Sequence, residues 1–332
     1  MPENAVEIEN LVKKFGDFTA VDGISLKIKS GEIFGILGPN GAGKTTTINM
    51  ILGLLSPSSG KIIVNGKDVM KSGAEIKSQI GLMTQETVVE SDLTARENLE
   101  IFARLYHVPE KERQGRIKEA LEEAELTNFS EKKAGTFSGG MKRRLELVKS
   151  MIQKPRILIL DEPTTGLDIQ NRVNMWEHIK DLNKEGVTVI LTTQYLEEAD
   201  ELCERIAIID HGKIKAIGTP SELKRIAGAG RILEIIVENS GDANAVASFL
   251  KTDFKLSAEV KLDKITVLIE SNQEGIMAKI LAGLDKKKIR ISSINLHMPT
   301  LDDVFIKLTG SEMRDATGEM SGDRNEVMMR RR

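Results

Sequence analysis

The chain has 332 residues, which at roughly 100 to 200 residues per domain predicts two domains and leaves room for a third small piece. Lys and Arg number 47 against 50 Asp and Glu, a formal charge of −3, and this balance excludes the overall basic field that drives sequence-independent binding to nucleic acid. Hydrophobic residues at 40% and charged residues at 29% exclude a generally disordered or collagen-like chain, so a sizeable core can be buried.

From Val6 to about Ile226, strand-like and helical segments alternate. EIENLVKKF and GEIFGILG read as strands, and a helix is predicted from Gly43 to Leu55. Between Glu86 and Lys154 the pattern turns helical: Thr94 and Glu97 form a capping box ahead of ENLEIFARLY, and KERQGRIKEALEEAEL is amphipathic, so a helical subdomain is predicted at about 86–154. RILILDEP, VTVILTT and RIAIIDHG are short, apolar and β-branched, as strands buried on both faces of a largely parallel sheet must be. The first 227 residues therefore read as an α/β nucleotide-binding domain.

Thr219-Pro220-Ser221-Glu222 caps a short helix that runs into the glycine-containing stretch 227–230, predicted to be a linker. Beyond it RILEIIVEN, AVASFLK, LSAEVKL, KITVLIES, EGIMAKILAGL and KIRISSINLHM spell β-α-β-β-α-β, a ferredoxin-like α+β pattern over 228–310, with a tight turn at Asp263-Lys264. Residues 311–332 lack apolar periodicity and are predicted to be disordered. Cys203 is the sole cysteine, which rules out an intramolecular disulfide and fits a reducing compartment. No run of about 18 apolar residues occurs and the N-terminus is acidic, so the chain is expected to be neither exported nor membrane-spanning.

Gly38-Pro39-Asn40-Gly41-Ala42-Gly43-Lys44-Thr45 fits the P-loop pattern, between a buried strand and a helix as that motif requires. Glycines let the backbone N–H groups wrap a phosphate at the positive end of a helix, Lys44 reaches the β- and γ-phosphates, and the Thr45 hydroxyl ligates Mg²⁺. Asp161, at the end of ILILDE, is placed to hold Mg²⁺ directly or through water, and Glu162 beside it to accept a proton from attacking water. Phe137-Ser138-Gly139-Gly140-Met141 precedes the helix KRRLELVKSMIQ, and taken alone it is a flexible turn with a Ser N-cap. Lys142-Arg143-Arg144 is read as a solvated helix face. His107, His178, His211 and His297 are scattered without metal-ligand spacing, so no metal beyond Mg²⁺ is expected.

P-loop, Gln85, FSGGM, ILILDEP, Gly166-Leu167-Asp168 and Thr192-Thr193-Gln194 follow one another in the order of ABC-type ATPases, which the chain resembles over roughly residues 5–227. The resemblance implies that Gly38 to Thr46, Thr46 included, form Walker A, that Gln85 is the Q-loop glutamine and a Mg²⁺ ligand, and that Asp161 and Glu162 are the Walker B aspartate and catalytic glutamate. It further implies that Ser138, Gly139 and Gly140 form the signature, that Asp168 is the D-loop aspartate, and that Phe15 stacks on adenine, with Phe18 as rival. Gln194 stands where most of the family has histidine. Its amide can donate to the γ-phosphate or orient water, but it carries no proton at neutral pH, so slower but real turnover is expected.

TTQYLEEAD, and the segment Pro299 to Phe305 closing with Leu308-Thr309-Gly310, are similar to the ATP-binding proteins of daunorubicin-resistance exporters. Physics alone makes the latter a capped helix packing Leu301, Val304, Phe305 and Leu308 into a small core. In this family one subunit's signature covers the ATP held by another's P-loop, which implies a pair of ATP-binding subunits, identical by expectation, and a separate transmembrane permease at the inner face of the cell membrane. Val88, Val89 and Leu93 are either the surface that receives the permease or ordinary core. Two other readings stand beside this one: a soluble ABC-type ATPase of DNA repair or translation, and a nucleotide-gated module with little hydrolysis.

Overall fold

The elements follow from where the apolar runs fall in a computed structural model that describes residues 2–86, 88–228, 230–270 and 275–310. The predicted disordered tail, 311–332, lies outside the described residues. Strands β1 (Asn4–Phe15) and β2 (Phe18–Lys29) form an antiparallel hairpin, and β3 (Ile33–Leu37) leads through the glycine loop into α1 (Lys44–Ile51). Then come β4 (Ser59–Val64), β5 (Lys67–Asp68), α2 (Gly73–Lys77) and β6 (Ile80–Met83). Two sheets result. One is antiparallel, in the order β2-β1-β4-β5.

Helices α3 (Ala95–Leu105), α4 (Glu110–Glu123) and α5 (Gly139–Met151) share a hydrophobic core of their own around Leu99, Ile117, Leu121, Phe137, Leu145 and Val148. The capping box at Thr94 and Glu97 starts α3 as predicted. Strand β7 (Ile157–Asp161), α6 (Ile169–Lys184), β8 (Thr188–Thr193), α7 (Leu196–Leu202), β9 (Arg205–Asp210) and β10 (Lys213–Gly218) follow. The second sheet runs β10-β9-β3-β8-β7-β6, and its β3–β8, β8–β7 and β7–β6 pairings are parallel. Every residue of β3 and β8 is buried, the mark of strands covered on both faces.

The register of that sheet decides where chemistry can occur. Leu37 pairs with Thr193, Asp161 with Thr192, and Met83 with Leu160, so β3, β8, β7 and β6 end together. The glycine loop, Gln194, Glu162 and Gln85 all leave from this carboxyl edge, the place where open parallel sheets hold ligands.

The remaining elements are α8 (Pro220–Ala227), β11 (Gly230–Val237), α9 (Ala243–Phe254), β12 (Ala258–Lys261), β13 (Lys264–Glu270), α10 (Ile276–Lys286), β14 (Ile291–His297) and α11 (Leu301–Thr309). The sheet order β12-β13-β11-β14, all antiparallel, is the ferredoxin-like arrangement of the predicted β-α-β-β-α-β run. The turn between β12 and β13 sits one residue earlier than expected, at Leu262 and Asp263, with Leu262 at φ 57. Among the described residues, one compact unit takes in 2–203 and 207–215, the other 204–206 and 216–310. This corrects the expected boundary at 227/228. Helix α8 packs on α11, buries Leu223, and accepts a bond at the Ile226 carbonyl from Lys307, so it belongs to the second unit although a glycine-containing stretch follows it.

Candidate nucleotide site

Gly43 stands at φ 103 as the N-cap of α1, and a Cβ there would lie 2.5 Å from the Ala20 carbonyl oxygen of β2. Only glycine meets both demands. The loop is also tied to the hairpin by backbone: Gly212 N donates to Ala42 O (3.0 Å) and accepts at its own oxygen from Asp22 N (2.9 Å). Lys44 is buried, and its ammonium donates to the carbonyls of Gly38 (2.7 Å) and Pro39 (3.2 Å). Burial lowers its pKa, while the carboxylates of Glu162 and Asp161 pull it back up. That combination puts a cation and two anions around one small space.

The space is a cleft of ≈ 250 Å³. Phe15, Phe18, Asn40, Gly41, Ala42, Gly43, Lys44, Thr45, Thr46, Gln85, Asp161 and Glu162 line it. Gly38 and Pro39 take part through the carbonyls that hold Lys44. Phe15 and Phe18 pair across the end of the hairpin and are 49% and 63% exposed, so both rings are offered to the cleft and neither is core. Lys13 lies 5.0 Å over the Phe15 ring.

Asp161 accepts from the Thr192 hydroxyl. Glu162 occupies φ 50, with its N–H given to Thr192 O (2.9 Å) and its Oε2 accepting from the Thr165 hydroxyl (3.0 Å). Gln194, one step beyond β8, is buried, and its Nε2 has no hydrogen-bond partner among the described residues. It does not line the cleft.

Ser138, Gly139 and Gly140 also lie outside the cleft. Ser138 caps α5 by accepting from Met141 N (3.2 Å). A Cβ on Gly140 would come within 2.4 Å of the Asn171 side chain, and Asn171 in turn bonds Asp168, through its backbone N–H (2.9 Å) and its side-chain amide (2.7 Å). Those bonds lower the pKa of Asp168. Gly140 and the Asp168 turn thus meet through one asparagine that the sequence did not single out.

Two buried groups were missed or misread. Arg143 is not on a solvated face: it is 3% exposed and gives all its hydrogen bonds to carbonyls and to Glu146. Its partners are 18 to 59 positions away in sequence apart from Glu146, so nothing local announces them. Glu198 on α7 is fully buried, and its Oε1 accepts from the Thr164 hydroxyl (2.8 Å) and the Trp176 indole (3.0 Å). Burial raises its pKa more than these donors, the Thr193 hydroxyl and the Arg172 charge lower it. A raised folded pKa favours folding below the unfolded value of about 4.3, and that contribution is lost as pH rises through the folded value. Glu198→Gln is expected to match the parent chain's melting temperature in acid and to exceed it increasingly as pH rises, read by thermal unfolding at about pH 4 and pH 8.

The fold and the loop define a P-loop nucleoside triphosphatase. A family model described as ABC transporter matches residues 21–165, and one described as ATP-binding protein DrrA1-3-like, C-terminal domain, matches 218–309. The chain is 38% identical to the daunorubicin resistance ATP-binding protein DrrA3 of Streptomyces coeruleorubidus, over 95% of this chain and 98% of that one. It is 40% identical to the linearmycin resistance ATP-binding protein LnrL of Bacillus subtilis, over 93% and 100%. A dimeric ATP-binding cassette in a post-hydrolysis state, bound to ADP and Pi, superposes with TM-score 0.58 at 29% identity, covering 64% of this chain and 98% of that one. The chain belongs to the ATP-binding proteins of ABC transporters, with the DrrA-like C-terminal domain, and it binds and hydrolyses ATP.

Proposed function

We propose that the protein is the ATPase subunit of an exporter, working as a pair of identical chains on a separate transmembrane permease that carries a drug-like or lipid-like molecule outward. The observation that carries this reading is the convergence, in one cleft, of the glycine loop, Lys44, Gln85, Asp161 and Glu162 at the carboxyl edge of the parallel sheet. Relatives named for daunorubicin resistance, linearmycin resistance and Nod factor export support the outward direction.

The residues divide the work by their chemistry. Phe15, with Phe18 beside it, stacks on adenine; the N–H groups from Gly38 to Thr46 and the Lys44 ammonium hold the phosphates. Thr45, Asp161 and Gln85 would hold Mg²⁺, and a set of one carboxylate, one hydroxyl and one amide oxygen fits a cation that takes few carboxylates and fills its shell with phosphate and water. Bound there, Mg²⁺ neutralises charge on the phosphates. Glu162 takes the proton of the attacking water, and Gln194, which follows β8 at the same sheet edge and whose Nε2 is unpartnered among the described residues though outside the cleft lining, donates its amide to the γ-phosphate without changing protonation state. Ser138, Gly139, Gly140 and Asp168 serve the nucleotide of the partner chain, in keeping with their position outside the cleft.

No helix among the described residues is long and apolar enough to cross a membrane. In this reading the permease is a separate polypeptide and the chain sits peripherally on its cytoplasmic side. Val88 is half exposed and free to meet that partner, whereas Val89 packs against the core of α3, α4 and α5. Native copurification with a multi-helix membrane protein is the expected result. Recovery with ribosomes or DNA instead would overturn the exporter reading and favour a soluble ATPase.

A further inference from the structure

One stripe of α5 carries three ionisable side chains into the interior. Arg143, Glu146 and Lys149 recur at intervals of three along the helix and are 3%, 2% and 4% exposed. Burying a charge costs several kcal/mol unless partners compensate it, so the placement of those partners carries the information.

The partners fall on two segments. Arg143 Nη1 donates to the carbonyls of Thr84 (2.8 Å) and Gln85 (3.2 Å), and to Glu146 Oε2 (2.9 Å). Its Nη2 donates to Glu162 O (2.7 Å) and its Nε to Pro163 O (2.8 Å). Glu146 Oε1 accepts from Val88 N (3.1 Å), and the Lys149 ammonium donates to Val88 O while lying 4.3 Å over the Phe102 ring. A planar guanidinium with five donors reaches two backbones in different directions, which an ammonium on a single stem cannot do. The same helix begins at Ser138 and Gly140, the residues assigned to the partner's nucleotide.

We infer that the buried stripe Arg143, Glu146 and Lys149 is a positioning device: it holds the backbone that carries Gln85 and the backbone that carries Glu162 in fixed register with the signature end of α5. When α5 shifts, because a nucleotide engages Ser138 and Gly140 from across the pair, the carbonyls of Gln85 and Glu162 are carried with it. Arg143, Glu146 and Lys149 do not line the cleft, whereas Gln85 and Glu162 do, so the stripe acts through those two residues. This inference rests on the roles proposed above for those two residues.

The test compares Arg143→Lys, Lys149→Met and Glu162→Gln in the full chain with the parent protein. ATP affinity is read with a fluorescent nucleotide analogue, Mg²⁺-dependent phosphate release gives kcat and KM, and amide exchange is followed at Gln85 and Val88. Misplacing a reacting group by about 1 Å costs on the order of 100-fold, so Arg143→Lys should lower kcat by roughly 10- to 100-fold. KM and ATP affinity should stay near the parent values, the melting temperature should fall because buried carbonyls lose their donors, and exchange at Gln85 should quicken. Lys149→Met should do the same more weakly, with the quickening at Val88; it carries the test if Arg143→Lys fails to fold. An unchanged kcat in a folded Arg143→Lys, or a kcat that falls only together with ATP affinity, overturns the inference. Parent turnover that survives Glu162→Gln would instead overturn the site assignment on which it rests.

Discussion

Phosphate release by Glu162→Gln is expected to fall ~100- to 10,000-fold, the usual cost of removing a general base, with ATP affinity at the parent level. The residue is held too firmly for a substitute to take its place. Its N–H is committed to Thr192 O, its carbonyl to Arg143, and one carboxylate oxygen to the Thr165 hydroxyl. Glutamine keeps that shape and loses only the ability to accept a proton at neutral pH. On the proposed reading hydrolysis loosens the pair, so the variant should also accumulate as a dimer with ATP bound, measured by size-exclusion chromatography with light scattering. Undiminished phosphate release would remove Glu162 from the mechanism.

Lys44→Ala is expected to weaken ATP binding by about 2–5 kcal/mol, roughly 30- to 5,000-fold. The ammonium is buried between the carbonyls of Gly38 and Pro39 and close to the carboxylates of Asp161 and Glu162. Its loss leaves those carbonyls without a donor and two negative charges facing an incoming triphosphate with no compensating cation. Calorimetric titration with ATP checks this directly, and an affinity equal to the parent chain's would show that the phosphates bind elsewhere.

Much of the site was legible because local rules wrote it. A glycine loop between a buried strand and a helix, a carboxylate pair after an apolar strand, and capping boxes at Thr94, Thr219 and Thr300 all depend on neighbours within a few residues, and the structure has each of them. The β-α-β-β-α-β run was legible for the same reason. The antiparallel sheet was harder. Strand β1 buries Val6 and Ile8 but then Leu11, because Asn10 stands at φ 46 and the register slips between Ile8 and Leu11, so the period of two breaks midway. Arg143 was misread because a charged residue between two others on a helix looks solvated until carbonyls from distant segments are brought to it. The domain boundary failed likewise: α8 ends before a glycine-containing stretch, but the surface it covers belongs to α11, about eighty residues later.

The contact between Gly43 and the Ala20 carbonyl, with the Asp22, Gly212 and Ala42 bonds beside it, is made of main chain alone. The hairpin that presents Phe15 and Phe18 is therefore fastened to the glycine loop without a side chain in between, so the spacing from rings to loop is set by backbone. If Phe15 and Phe18 take the base as proposed, the span from base to phosphate is a fixed length set by main chain, like a ruler cut once.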